Sequence, residues 1–163
     1  RVVTGAVRGV DYIASLSQWD GKTIGVTGAS QGGFLSLAVA ALDKRITFLG
    51  VVHDAMCDYS AEVHGVAGGW PHYFYKNTDK SLKVKVDASM YYDGVNFARR
   101  INVPGWYSFG YNDEVVPPTS SYGLYNIVTA PKKLSVYQQT GHYWYQEQWD
   151  EWQNYIKEHL NVK

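Results

Sequence analysis

The chain has 163 residues, 45% of them hydrophobic, which is enough apolar material for one domain with its own core. Its 15 basic and 15 acidic residues cancel and form no block of like charge, which argues against nucleic acid or an anionic membrane as partner. The longest apolar stretch, residues 33–42, is too short to span a bilayer, and Cys57 as the only cysteine excludes an internal disulfide.

Residues 1–17 read as a helix, with Val3, Ala6, Val10 and Ile13 recurring at three- and four-residue spacing. Trp19-Asp20-Gly21-Lys22 is a turn. Residues 22–27 form a short β-rich run, and the apolar residues 34–42 read as a buried helix. Between them stands Gly28-Ala29-Ser30-Gln31-Gly32-Gly33. A second strand covers 46–52 and is apolar nearly throughout, as a strand covered on both faces must be. Residues 53–86 are aromatic, glycine-bearing and without a clean period, which predicts a lid-like insertion. Residues 87–101 read as a helix capped by Asp87, with Met90, Tyr91, Val95 and Phe97 on its apolar face. A third strand spans 105–110 and ends in the loop Tyr111-Asn112-Asp113-Glu114. Pro117 and Pro118 open a helix to about 128. A fourth strand covers 132–137, followed by the loop Thr140-Gly141-His142. The last helix, 144–160, carries Tyr145, Trp149, Trp152, Ile156 and Leu160 in one stripe.

Strands and helices alternate, so the expected fold class is α/β: a parallel sheet with flanking helices in one domain, 1–163. In such sheets the chemistry collects at the carboxyl ends of the strands. Three polar residues fall there: Ser30, Asp113 and His142.

Strand, G-x-S-x-G, helix is the context of a nucleophile elbow, with Gly28 and Gly32 flanking the serine so that no side chains clash across the turn. The plain alternative is a glycine-rich turn with a capping serine. The order Ser, Asp, His, with about 80 residues and then about 30 between them, leaves room for two strand–helix units with a lid, and then for one. In this reading Ser30 is the nucleophile, His142 the general base and acid, and Asp113 the group that holds the imidazole. The Gln31 N–H, at a helix start, supplies an oxyanion donor. Glu114 and Asp54 are rival acids. His53, His64 and His72 with Asp54 and Asp58 suggest a metal cluster, but their spacings match no ligand pattern, so neither metal nor other cofactor is expected.

Aromatic residues are abundant, with 14 Tyr and 6 Trp, and two clusters stand out at 70–75 and 143–152. They serve either as core and helix faces or as a surface on which sugar rings stack.

The combination of Gly28 through Gly33, Tyr91-Tyr92-Asp93, Asn96-Phe97-Ala98-Arg99-Arg100, Val116-Pro117-Pro118-Thr119 after Asp113, Tyr125-Asn126, Pro131-Lys132-Lys133 and Gly141-His142 resembles the acetyl xylan esterase and cephalosporin-C deacetylase family. His64-Gly65 with Gly68-Gly69-Trp70-Pro71-His72 is most similar to its members from gut Bacteroidetes. The resemblance implies an α/β-hydrolase carbohydrate esterase with Ser30, Asp113 and His142 as triad and Gln31 as oxyanion donor. It implies an acetylated carbohydrate as substrate, often a homo-oligomer, and a periplasmic or secreted location. It also implies that this chain is the C-terminal half of the fold, with further strands and the second oxyanion donor lying before Arg1. Two other readings share the motif: a prolyl-oligopeptidase-type peptidase with the same triad order, and a non-catalytic remnant of a hydrolase.

Overall fold

The computed structural model describes residues 1–75 and 82–162 and alternates helix and strand as the periodicity predicts. In chain order the elements are helix α1 (Val2–Ser15), strand β1 (Gly25–Ala29), helix α2 (Gln31–Leu42), strand β2 (Phe48–Val52), a 3-10 helix (Tyr59–His64), helices α3 (Leu82–Ser89) and α4 (Gly94–Ala98), strand β3 (Gly105–Gly110), helix α5 (Pro118–Ile127), strand β4 (Lys132–Tyr137) and helix α6 (Gln146–Leu160). The strands pair in the order β1-β2-β3-β4, all parallel.

Every residue of β2 and β3 is buried, because each face of the sheet carries its own apolar layer. Side chains alternate between faces along a strand. Leu49, Val51 and Tyr107 therefore join one cluster with Val10 of α1, Leu37 of α2, Ala98 of α4 and Leu124 of α5. Phe48, Val52 and Trp106 point the other way and pack with Tyr155 of α6. Burying one such large side chain stabilises the fold by about 1.5–3 kcal/mol, so the sheet is a firm base for whatever stands at its strand ends.

Three predicted elements are corrected. The strand expected at 22–27 lies at Gly25–Ala29, because Asp20 Oδ1 accepts the N–H groups of Lys22 (2.8 Å) and Thr23 (2.9 Å) and keeps them in the turn. The helix expected at 87–101 is two helices, α3 and α4, and Asp87 caps neither. The break is made by Asp93, whose buried carboxylate accepts the N–H of Val95 at 2.9 Å and also those of Asp58 at 2.8 Å and Tyr59 at 2.9 Å. The last helix starts at Gln146, not 144, and its buried residues are Gln148 and Tyr155, while Trp149 and Leu160 of the predicted stripe are exposed. Gln148 is drawn in because its Nε2 donates to Ser108 Oγ at 2.8 Å. Within the segment 53–86 lie the 3-10 helix and the start of α3, while its residues 76–81 lie outside the described residues.

Candidate active site

The site is built at the carboxyl ends of β1, β2, β3 and β4. Ser30 follows β1 directly and has φ 56° and ψ −121°, a left-handed backbone that L-residues rarely adopt. Its N–H extends the sheet ladder to the Val52 carbonyl at 2.8 Å, while its own carbonyl accepts from Phe34 at 3.2 Å and from Ala55 at 3.2 Å. The turn is thus pinned from the strand side and from the helix side.

Its tightness rests on one glycine. A Cβ on Gly28 would run into the backbone of Gly32, whereas a Cβ on Gly32 would meet nothing within 4 Å. The expectation that both glycines relieve the same crowding is therefore corrected: the crowding falls on Gly28. A second close approach is at Gly110, where a Cβ would meet the Thr140 and Gly141 carbonyls. This lets the end of β3 touch the loop that carries His142. The two loops are then tied by Tyr111 N–H to Tyr137 O (2.9 Å) and Asn112 N–H to Thr140 O (3.0 Å).

These anchors bring the three predicted residues together. His142 Nε2 lies 3.0 Å from Ser30 Oγ, and His142 Nδ1 lies 2.8 Å from Asp113 Oδ2. The other carboxylate oxygen, Oδ1, accepts the N–H groups of Val115 (2.9 Å) and Val116 (2.8 Å). Burial pushes the Asp113 carboxyl upward, but His53, the Val116 N–H and His142 outweigh it and hold the group at about 2. An ionised carboxylate only accepts, so His142 Nδ1–H must donate to Asp113. That leaves Nε2 as the acceptor of the Ser30 hydroxyl. A neutral hydroxyl thus faces a base whose other side faces a fixed negative charge, an arrangement suited to acyl transfer.

The rival acids are placed elsewhere. Glu114 is exposed, and the acid at His142 Nδ1 is Asp113. Asp54 is fully buried, which pushes its carboxyl up to about 6. Of the five residues weighed as a metal cluster, His53 alone reaches the triad, with Nδ1 3.3 Å from Asp113 Oδ2. His72 instead bridges Glu62 (Nδ1, 2.8 Å) and the Val115 carbonyl (Nε2, 3.3 Å), and His64 is exposed. Among the described residues, the group able to converge on a cation is His53, Asp113 and His142, with donor atoms within 4.8 Å of one another. Sequence reasoning missed His53 as a neighbour of the triad, although its position directly after β2 was a signal of the same kind as those of Ser30 and Asp113.

Gln31 is the first residue of α2, so its N–H has no intrahelical acceptor and points to the end of the helix next to Ser30. Beside it opens a cavity of about 560 Å³, lined by Gln31, Met56, Tyr59, Tyr73, Tyr92 and Phe97. A second cavity, of about 700 Å³, is bordered by Glu62, Val66, His72, Tyr75, Glu114 and Pro117. From the first aromatic cluster, Tyr73 lines the first cavity and Tyr75 the second. In the second cluster, Trp144, Trp149 and Trp152 pack on one another.

Comparison with known proteins finds related sequences and related structures. The sequence profile of the acetyl xylan esterase (AXE1) family matches residues 1–159. The acetyl esterase Axe7A of Xylanibacter ruminicola is 47% identical over 132 residues, covering 81% of this chain and 30% of that protein. The acetyl xylan esterase of Paenibacillus sp. R4 superposes with a TM-score of 0.88 at 27% identity, over 97% of this chain and 52% of that one. Acetyl xylan esterase 1 of Thermoanaerobacterium sp. JW/SL YS485 gives 0.83 at 25% identity, over 96% and 52%. The chain therefore spans about half the length of these structures. A puromycin hydrolase, at TM-score 0.80 and 15% identity, shares the fold alone.

Proposed function

We propose that this chain, which belongs to the acetyl xylan esterase family, carries the catalytic triad of a serine esterase that removes acetyl groups from acetylated xylan or xylo-oligosaccharides. The observation that carries the reading is the continuous path from Ser30 Oγ through His142 to the ionised Asp113. The substrate class rests on the family and on the 47% identical acetyl esterase.

In this reading the geometry serves the following steps. The Ser30 oxygen attacks the acetyl carbonyl while His142 Nε2 takes the hydroxyl proton. The resulting imidazolium is paired with Asp113, and its proton then goes to the leaving sugar hydroxyl. Water, deprotonated by the same nitrogen, attacks the acyl carbon; the Ser30 ester bond breaks, the proton passes from His142 to Ser30 Oγ, and acetate leaves. The Gln31 N–H meets the oxyanion, and a second donor comes from chain outside residues 1–163 in this proposal. One such donor is typically worth about 100- to 1000-fold in kcat. The likeness to peptidases of the same fold is at 12–14% identity and lends the peptidase alternative no more than the architecture.

The test is intact-mass analysis after exposure to a serine-directed fluorophosphonate, with Ser30→Ala as control, together with acetate release from acetylated xylo-oligosaccharides beside a peptide panel. The expected result is one adduct on the parent, none on the variant, and turnover of the acetylated sugar only. Acetate release that survives Ser30→Ala would overturn the assignment.

A further inference from the structure

His53 enters the site from a backbone that needs explaining. Its N–H still belongs to the sheet, donating to the Ser108 carbonyl at 2.9 Å, but its φ is +47°. A non-glycine residue held there is strained and persists only where its surroundings enforce it. The turn sends the imidazole beneath the triad, where it is 2% exposed. Its ring centroid lies 5.2 Å from that of His142 and 6.4 Å from that of Trp144, which it meets edge to face. Nδ1 is 3.3 Å from Asp113 Oδ2, the same oxygen that His142 holds at 2.8 Å, yet neither ring nitrogen of His53 completes a hydrogen bond.

Stability does not account for this residue. A buried polar ring without a full partner is destabilising, and an apolar side chain of similar size would fill the space without that loss. The strained turn adds to the loss. What the position offers is a second N–H at the oxygen on which the His142 proton chain ends.

We propose that His53 is a positioning residue for the acid of the triad: its Nδ1–H faces Asp113 Oδ2 and holds that carboxylate charged and in one rotamer while His142 takes up and returns the Ser30 proton. The proposal rests on the reading of Ser30, His142 and Asp113 given above. No bond forms or breaks at His53, and it does not touch the nucleophile. Its effect is therefore confined to the proton-transfer steps and leaves substrate binding alone.

Four variants of the full-length protein test this, assayed by acetate release from acetylated xylo-oligosaccharides. His53→Asn keeps an N–H donor near the Nδ1 position and tolerates the left-handed backbone. His53→Gly tolerates the backbone without the donor, and His53→Leu fills the space without the donor. Ser30→Ala reports the triad itself. The expected result is that Leu and Gly each lower kcat by about tenfold or more with KM within about twofold, while Asn stays within about threefold of the parent. Parent-like kcat in the Gly or Leu variant, or an Asn variant as slow as Gly, would overturn the proposal. If Leu fails to fold, the Gly and Asn pair still decides. Turnover by the parent that is indifferent to Ser30→Ala sinks the triad reading and this proposal with it. Ser30-dependent turnover indifferent to His53 sinks this proposal alone.

Discussion

Replacing Asp113 by Asn isolates the charge and the proton direction from the shape of the site. The three hydrogen bonds of the carboxylate set the outcome. Oδ1 accepts two backbone N–H groups, from Val115 at 2.9 Å and Val116 at 2.8 Å, and Oδ2 faces His142 Nδ1 at 2.8 Å. An asparagine must put its carbonyl on the two N–H donors, because turning its NH2 toward them would set donor against donor. The NH2 then points at His142 Nδ1. That nitrogen must give up its proton and accept, which moves the ring hydrogen to Nε2. The ring can no longer take the Ser30 proton. In serine proteases the equivalent change drops kcat about 10⁴-fold with geometry intact, and the same wrong-tautomer argument applies here. A loss of that size corresponds to about 5.5 kcal/mol of transition-state stabilisation. The assay is acetate release near pH 8 on parent and Asp113→Asn, with thermal unfolding alongside to establish that the variant is folded. A folded variant within about tenfold of the parent would refute both the tautomer argument and the role given to Asp113.

Further outcomes follow from burial and crowding. Gly28→Ala, which drives a methyl into the Gly32 backbone, is expected to destabilise by about 1–3 kcal/mol and to slow the enzyme, whereas Gly32→Ala is expected to leave urea unfolding within about 1 kcal/mol of the parent. Equal penalties at the two positions would contradict the one-sided crowding. Asp54 is neutral in the fold up to about pH 6 but ionises near 4 when unfolded, so the native state binds the extra proton between those values and loses stability as pH rises through them. Asp54→Asn should therefore raise stability at pH 7.5 by on the order of 3 kcal/mol, seen as a higher melting temperature, and change it little at pH 4; the opposite order would show the sign to be wrong. Asp113 has the reverse linkage: with its carboxyl at about 2, its stabilisation is full above pH 4 and fades as pH falls toward 2, so the parent should lose more stability than Asp113→Asn over that interval. Asp93→Ala strips the acceptor from the N–H groups of Asp58, Tyr59 and Val95, and should cost on the order of 3 kcal/mol and speed amide exchange at those three positions. Unchanged exchange at Asp58 and Tyr59 would show that Asp93 does not hold that segment.

The parallel sheet was legible because its strands are unbroken apolar runs separated by helical periods, and the three polar residues at strand ends were legible because the elbow, the acid loop and the histidine loop each follow a strand directly. The break between α3 and α4 was not. Asp93 caps α4 by accepting the Val95 N–H, and its carboxylate is held in place by the N–H groups of Asp58 and Tyr59, some 35 residues away in sequence. Local spacing carries no trace of such a partner, so the apolar face from Met90 to Phe97 looked continuous. Gln148 was missed for the same reason: a polar residue in an amphipathic stripe counts as exposed until Ser108 appears opposite it.

By itself, the sequence determined the alternation of strand and helix, the fold class and the standing of Ser30, Asp113 and His142 just past strand ends, because each of these depends on short-range pattern: periodicity, turn chemistry and the order of residues along the chain. Tertiary structure alone decided the rest. It set which carboxylate meets His142, since Asp113, Glu114 and Asp54 differ only in where their backbone aims them. It placed the crowding of the elbow on Gly28, because the opposing atoms belong to the far side of the turn. And it brought His53 to Asp113 Oδ2, a contact across 60 residues of chain that exists because β2 and β3 are neighbours in the sheet and the His53 backbone turns left-handed at its edge.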